Sequence, residues 1–206
     1  ITGTVSVCQN STTPLITFTG SAGTAPYTFT YKINGGGNQT VVTTSGNSVA
    51  VSVGTGSAGT FTYSLVSIQD ASSTACAQVQ TGSATVTVNP LPIATISGTT
   101  AVCQNAASPN ITFTGASGTV PYTFTYTINS GSNLTVTTIV GNSVTVPVPT
   151  GTTGTFTYAL VSIHDASSTA CTQTQGGSAT VTINPLPTAT ISGTLTVCKD
   201  AIFPNI

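Results

Sequence analysis

The sequence predicts an all-β protein built from tandem antiparallel β-sandwiches, and three observations support that fold class. Apolar residues alternate with polar ones along short segments, as at Phe29 and Tyr31, which is the period-2 pattern of a half-buried strand. Stretches rich in Gly and Asn separate these segments, as tight turns require. The third observation is a strict self-similarity, because Cys8, Cys103 and Cys198 follow one another at intervals of 95 residues.

The repeat shows no insertion or deletion between its copies. PYTFTY at 26–31, DASSTAC at 70–76 and NPLP at 89–92 recur at 121–126, 165–171 and 184–187. A fixed period of this kind is the signature of a tandem array. We therefore expect three units along the chain: a first copy at 1–92, whose start is truncated, a second copy at 93–187, and the truncated start of a third copy at 188–206.

Within each copy the alternating segments predict about seven short strands, which fits an immunoglobulin-like antiparallel sandwich. In the first copy the clearest apolar positions are Ile16 and Phe18; Tyr27, Phe29, Tyr31 and Ile33; Val49, Val51 and Val53; Phe61, Tyr63 and Leu65; and Val86 and Val88. In the second copy Pro147 and Pro149 fall within the third of these segments. Proline cannot donate to a strand ladder, so this segment is predicted to be an edge strand. The NPLP connector is short and stiffened by two prolines, which favours a rod.

Composition excludes several classes of function. Only 2% of the residues are charged, whereas an ordinary domain has about 25%. Lys32 and Lys199 are the only basic residues apart from one histidine, so there is no positive patch to bind nucleic acid. No apolar run reaches the roughly 18 residues of a membrane helix, and we expect no membrane insertion.

The motifs resemble a known group of repeats. NPLPxATISGT, TVCQN, ITFTG, PYTFTYxIN and GTFTYxLVSI look like the immunoglobulin-like, PKD-like repeats of giant surface adhesins from gliding Bacteroidetes. The resemblance covers the whole chain. It implies export by a type IX secretion system, an extracellular location on the cell surface as a long filament, and attachment to a substratum while a motor moves the filament. It also implies that the secretion and motility machinery acts through regions outside this chain.

Cysteines at fixed spacing in such a chain indicate an extracellular disulfide framework. We expect Cys8 to pair with Cys76, and Cys103 with Cys171, so that each copy has its own bridge. Strand direction in a standard sandwich leaves an alternative open, in which Cys8 approaches Cys171 and the bridges join successive copies. In the first scheme the period places the partner of Cys198 at position 266, outside the chain.

Other candidate sites have weaker support. His164 precedes Asp165, but the matching residue in the first copy is Gln69, so we interpret this pair as a surface histidine beside an aspartate that caps its turn. Each copy has too few Cys, His or Asp residues for a zinc or calcium site, and no cofactor is expected. The aromatic residues occupy core positions, which disfavours a sugar-binding platform.

These observations predict a binding or structural protein and not an enzyme, because no nucleophile elbow or acid–base pair is present. The leading hypothesis is a stalk of stiff repeats that carries an adhesive tip and transmits force, with neighbouring repeats of the same chain as its partners. The alternative is that a hydroxyl-rich face of the repeats itself binds surface or extracellular polysaccharide, or assembles as a matrix fibre.

Overall fold

The structure, a computed structural model, describes residues 1–193, 196 and 198–200. These residues form β-strands, turns and loops, and no helix occurs among them. The expected third copy at 188–206 lies partly outside the described residues.

The described residues form seventeen strands. In the first copy they are β1 (Val5–Cys8), β2 (Leu15–Thr19), β3 (Thr28–Ile33), β4 (Gln39–Val42), β5 (Ser48–Ser52), β6 (Gly59–Gln69), β7 (Ala77–Val79) and β8 (Ser83–Asn89). In the second copy they are β9 (Ile93–Ser97), β10 (Thr100–Cys103), β11 (Asn110–Ala116), β12 (Thr123–Ile128), β13 (Leu134–Thr137), β14 (Ser143–Pro147), β15 (Gly154–His164), β16 (Thr172–Thr174) and β17 (Ser178–Asn184). Strands of the two copies lie at matching sequence positions, as the repeat predicts.

Each copy is an immunoglobulin-like sandwich of two sheets that do not close into a barrel. The larger sheet of the first copy has the order β1-β8-β6-β3-β4, with β7 also paired to β6, and β2 and β5 form the smaller sheet. The second copy repeats the large sheet as β10-β17-β15-β12-β13, with β16 on β15, and its smaller sheet is β14-β11-β9. The expected all-β sandwich fold is confirmed.

Strand direction defines two ends of each sandwich. Strand β1 runs parallel to β8, which places Cys8 opposite Asn89. Strand β6 runs antiparallel to β8 and begins with Gly59 opposite Val88. The end of the first copy that holds Cys8 and Asn89 is called the downstream pole, and the opposite end, which holds the DASSTAC loop at 70–76, is called the upstream pole. The same names apply to the second copy.

The core of each copy lies between its two sheets and is largely aromatic. Phe18 of the smaller sheet packs against Phe29 and Tyr31, with ring centroids 5.5 and 5.0 Å away, and Tyr31 stacks on Tyr63 at 5.8 Å. These rings and Tyr27 are buried, while Phe61 is half-buried and packs against the cluster. Matching rings repeat this arrangement in the second copy. Core packing therefore accounts for the aromatic residues in the part of the chain that the structure describes, as the sequence predicts.

A buried tyrosine holds the upstream pole together. The hydroxyl of Tyr27 donates to the carbonyl of Gly23 and accepts from the backbone N–H of the same residue. The buried hydroxyl of Thr43 accepts from the backbone N–H of Tyr27. A Cβ at Gly20 would lie 2.7 Å from the ring of Tyr27, so only glycine fits there.

The edge-strand prediction for the proline-containing segment is confirmed. Strand β14 forms one edge of its sheet and pairs only with β11 among the described strands. Pro147 is its last residue, opposite Asn110. At an edge the missing N–H of proline leaves no ladder acceptor unsatisfied.

Candidate functional site: the junction between the two copies

The DASSTAC loop of the second copy is organised by one buried carboxylate. Asp165 is 1% exposed. Its Oδ1 accepts from the backbone N–H and hydroxyl of Ser167, at 3.2 and 2.7 Å, and from the backbone N–H of Cys171 at 2.9 Å. Its Oδ2 accepts from the backbone N–H of Thr119 at 3.0 Å. These bonds fix the position of Cys171, because the carboxylate that accepts from its backbone N–H is itself held by Ser167 and Thr119.

The first copy has the same loop in a more open setting. Asp70 Oδ1 accepts from Ser72 and from the backbone N–H of Cys76, and its Oδ2 accepts from the backbone N–H of Thr24. The hydroxyl of Ser72 is the main reason that the pKa of Asp70 lies below its ordinary value of 3.8, and the Thr24 bond adds to the effect. The expectation that this aspartate caps its turn is confirmed in both copies.

A disulfide joins the two copies. Cys8, at the downstream pole of the first copy, is bonded to Cys171, at the upstream pole of the second, with an S–S distance of 2.06 Å and a Cα–Cα distance of 5.6 Å. The two residues are 163 positions apart in sequence. The polypeptide connector Asn89–Pro92 lies between the same two poles, so the copies are connected covalently twice.

The favoured pairing of Cys8 with Cys76, and of Cys103 with Cys171, is therefore wrong. Cys8 and the DASSTAC loop of its own copy lie at opposite poles, separated by the ten steps of β6. That distance is about 33 Å at about 3.3 Å per residue, whereas bridged residues need Cα atoms within about 7 Å. The alternative in which Cys8 approaches Cys171 is the arrangement found.

The remaining cysteines are free in the part of the chain that the structure describes. Cys76, Cys103 and Cys198 are each exposed and unbonded. Position 266 belonged to the within-copy scheme, whereas the separation of 163 in the observed bridge assigns position 266 to Cys103. A partner for Cys198 outside the chain stays a prediction.

A threonine lies at the centre of the junction. The side-chain amide of Asn89 donates to the hydroxyl of Thr169 at 3.0 Å. That hydroxyl also lies 3.2 Å from Sγ of Cys8 and 3.1 Å from Sγ of Cys171. The hydrogen bond therefore runs between the copies, and its acceptor lies beside both sulfur atoms of the bridge.

Matched residues of the two upstream poles differ in burial, and the difference outlines the contact surface. Cys171 is 0% exposed and Ile163 is 0% exposed, whereas Cys76 is exposed and Ile68 is only half-buried. In the second copy the connector lies against the loop between β11 and β12, since a Cβ at Gly118 would be 3.0 Å from the Cβ of Pro92. Strand β9 also packs beside β15 and β17.

Other candidate sites have little structural support. His164 is exposed at the end of β15, and its neighbour Asp165 points into the loop. Within the described residues there is no group of three His, Cys, Asp or Glu side chains that could hold a metal ion. Among the same residues no helix is long and apolar enough to cross a membrane.

The chain is similar to several solved structures. No protein-family model and no curated protein matches the chain. Among solved structures it is similar to a Ca²⁺-stabilized adhesin that helps an Antarctic bacterium reach out and bind ice, with 21% identity, a TM-score of 0.44, and coverage of 86% of this chain and 45% of that one. It is also similar to a 1.5-MDa bacterial ice-binding adhesin, with 20% identity, a TM-score of 0.43, and coverage of 84% and 58%. The fibronectin(III)-like modules of Clostridium thermocellum CbhA give 11% identity, a TM-score of 0.36, and coverage of 93% and 96%. This chain thus spans about half the length of the two adhesin structures, and similarity at this level assigns no function.

Sequence reasoning did not identify Asn89, Pro92 and Thr169 as junction residues. The available signal was positional, because Thr169 lies two residues before a cysteine of the framework and Asn89 begins the NPLP connector. Both motifs recur in each copy, which indicates a shared role but not which copies meet.

Proposed function

We propose that this chain is a load-bearing stretch of repeats in the stalk of an extracellular, cell-surface adhesin. The observation that supports this most directly is the Cys8–Cys171 bridge between successive copies. A bridge within each copy would hold that copy together. A bridge between copies also limits how far one copy can separate from the next.

The position of the bridge determines which residues bear load. Tension applied to the two ends of the chain passes from Cys8 directly to Cys171, so residues 9–170 lie outside the loaded path. Unfolding those residues adds no length while the bond is intact. The excluded length is about 570 Å, at about 3.5 Å for each of the 163 residues that separate the two cysteines. Such a chain stays short under a pull, as a stalk that transmits force must.

Stiffness is supported by the short connector. Pro90 and Pro92 restrict the backbone, and Pro92 contacts the second copy at Gly118. The hydrogen bond from Asn89 to Thr169 adds a polar contact at the same place. Together with the disulfide, these contacts oppose bending at the junction.

The experiment is single-molecule force extension of the full chain held at its two termini. Oxidised wild-type chain is expected to stop short by about 570 Å relative to the reduced chain. Cys8→Ser should extend to the reduced length even without reductant, and Cys76→Ser, which removes a free thiol, should behave like wild type. An oxidised wild-type chain that already reaches the reduced length would contradict the proposal.

The sequence motifs support a finer proposal. Their resemblance to repeats of gliding Bacteroidetes adhesins suggests export by a type IX secretion system and a role in surface gliding. Antibody labelling of intact cells should then detect the repeats outside the cell, and disruption of that secretion system should abolish the signal. Retained surface labelling in such cells would contradict this assignment.

A second candidate function is polysaccharide binding by the repeats themselves, and one observation favours it. Exposed hydroxyls pair across strands, as Thr123 does with Thr137 at 2.8 Å and Thr114 with Ser143 at 2.9 Å, which makes a neutral polar surface. A glycan array probed with the folded chain tests this. Binding that is lost in Thr123→Val, with the fold retained, would favour this function over a passive stalk.

A further inference from the structure

We propose that the two outer poles of the chain form a complementary pair: the upstream pole of the first copy is a socket for the downstream pole of the second copy in another molecule of this chain. Contact would be closed by a disulfide between Cys76 of one molecule and Cys103 of the other. The socket is the surface around Cys76 formed by Gly23, Tyr27, Ile68, Asp70 and Gln78. The plug is the end of the second copy that holds Cys103 and Asn184.

The socket is built like a pole that is already occupied. The backbone N–H of Cys76 donates to Asp70 at 2.9 Å, as that of Cys171 does to Asp165. The hydroxyl of Thr74 lies 3.2 Å from the sulfur of Cys76, and the matching distance at Cys171 is 3.1 Å. The first copy therefore presents its free thiol in the local structure that holds the bonded sulfur in the second.

The surface around Cys76 is open where the matching surface is covered. A cavity of about 330 Å³ is bordered by the socket residues. At the equivalent place in the second copy, Pro92 lies against Gly118, and Cys171 and Asp165 are buried. The observed junction thus shows what fits the cavity: a proline connector and the cysteine-bearing end of a preceding repeat.

The plug likewise has the same local structure as the downstream pole of the first copy, whose Cys8 is bonded to Cys171. Cys103 lies opposite Asn184 in the parallel ladder, as Cys8 lies opposite Asn89. The backbone N–H of Gln104 donates to the carbonyl of Asn184 at 2.8 Å, and that of Gln9 to Asn89 at the same distance. Cys103 is exposed and free. Pro187, which matches Pro92 in the repeat, leaves from this pole and is available to enter the socket.

Because the two surfaces differ, the contact is heterologous and extends head to tail instead of closing as a symmetric dimer. The bond requires an oxidant, for which glutathione disulfide is suitable. The thiolate of Cys103 attacks glutathione disulfide and releases one glutathione thiolate. The thiolate of Cys76 then attacks the Cys103 sulfur of that mixed disulfide and releases the second, so two thiols are oxidised and one glutathione disulfide is reduced to two thiols.

The test uses two partners made in the full chain, each with one free cysteine beside the Cys8–Cys171 bridge. Both carry Cys198→Ser, and one also carries Cys76→Ser while the other carries Cys103→Ser. In a glutathione redox buffer, the equimolar mixture is expected to form at least tenfold more covalent dimer than either variant alone, because only the mixture holds both a plug and a socket. Mass spectrometry of proteolytic fragments should place the new bond between Cys103 and Cys76.

Equal dimer yields in the three samples would overturn the proposal, since random thiol oxidation does not distinguish the variants. Retention of the Cys8–Cys171 bridge in every variant confirms that the fold is intact. The result is independent of the stalk function, because force extension of the monomer depends on Cys8–Cys171 and not on Cys76 or Cys103. A failure of the dimer test therefore does not contradict the proposed stalk function, and a failure of the force-extension test does not contradict the proposed dimer.

Discussion

The side-chain amide of Asn89 donates to the hydroxyl of Thr169 across the boundary between the two copies, at 3.0 Å. Thr74 is the counterpart of Thr169 in the first copy. Its hydroxyl has the matching neighbours within its own loop, 3.3 Å from the hydroxyl of Ser72 and 3.2 Å from Sγ of Cys76. Among the described residues Thr74 has no such partner from another copy. The pair Thr169 and Thr74 therefore isolates the contribution of one inter-copy hydrogen bond.

We expect Thr169→Val to lower the free energy of unfolding by about 0.5–1.5 kcal/mol more than Thr74→Val, which is the usual net value of one hydrogen bond. Urea denaturation followed by tyrosine fluorescence measures both variants under oxidising conditions. Equal losses for the two variants would mean that the inter-copy bond contributes nothing to stability.

Removal of the bridge should destabilise the folded pair. Closing a loop of 163 residues restricts the unfolded chain, and the chain-entropy model values this at about 5 kcal/mol. Cys8→Ser is expected to lower the free energy of unfolding by that amount. Cys76→Ser is the control and should change it by less than about 0.5 kcal/mol, as surface substitutions usually do. A loss in the control as large as in Cys8→Ser would show that the effect is not due to the bridge.

The pKa of Asp70 predicts an acid-sensitive loop. Because hydrogen bonds from Ser72 and Thr24 hold this pKa below 3.8 in the folded state, the ionised carboxylate stabilises the fold at pH values above the unfolded pKa. That contribution is lost as the pH falls through the lower, folded pKa. The urea midpoint of the wild type should exceed that of Asp70→Asn above about pH 5, and the difference should shrink below about pH 3. A difference that does not vary with pH would contradict the prediction.

Buried tyrosines predict a loss of stability at high pH. Burial raises the pKa of Tyr63 and of Tyr158 above 10.0, and the neighbouring Tyr31 and Tyr126 add to the shift. Folding then favours the neutral phenols, so this contribution is complete below the unfolded pKa and is lost as the pH rises through the raised one. The double variant Tyr63→Phe, Tyr158→Phe should lose stability less steeply between about pH 9 and 11. An unchanged slope in urea titrations would contradict this.

The strands that carry large apolar residues could be predicted from the sequence, because their side chains alternate between core and solvent. Phe29 and Tyr31 in β3 are examples, and both are buried. Pro147 correctly indicated an edge. Strands β1, β4 and β7 were missed, because their few apolar residues are half-buried or exposed and give little alternation to detect.

The disulfide partner could not be predicted from spacing, since the first and second copies have the same two cysteines at matching positions. The choice depends on which pole holds Cys8, and that follows from the parallel pairing of β1 with β8. These strands are about 80 residues apart in sequence. Such a non-local register is determined by packing of the complete sandwich, so no short sequence motif near Cys8 indicates it.

The second covalent connection between the copies makes the chain tolerant of damage. If a protease cuts the backbone anywhere from residue 9 to residue 170, the two ends of the molecule stay joined, because the bond between Cys8 and Cys171 does not depend on the intervening backbone. The same holds for several cuts in that region, including one at Lys32. The chain therefore has two covalent paths between its ends, and the loss of one leaves the other intact.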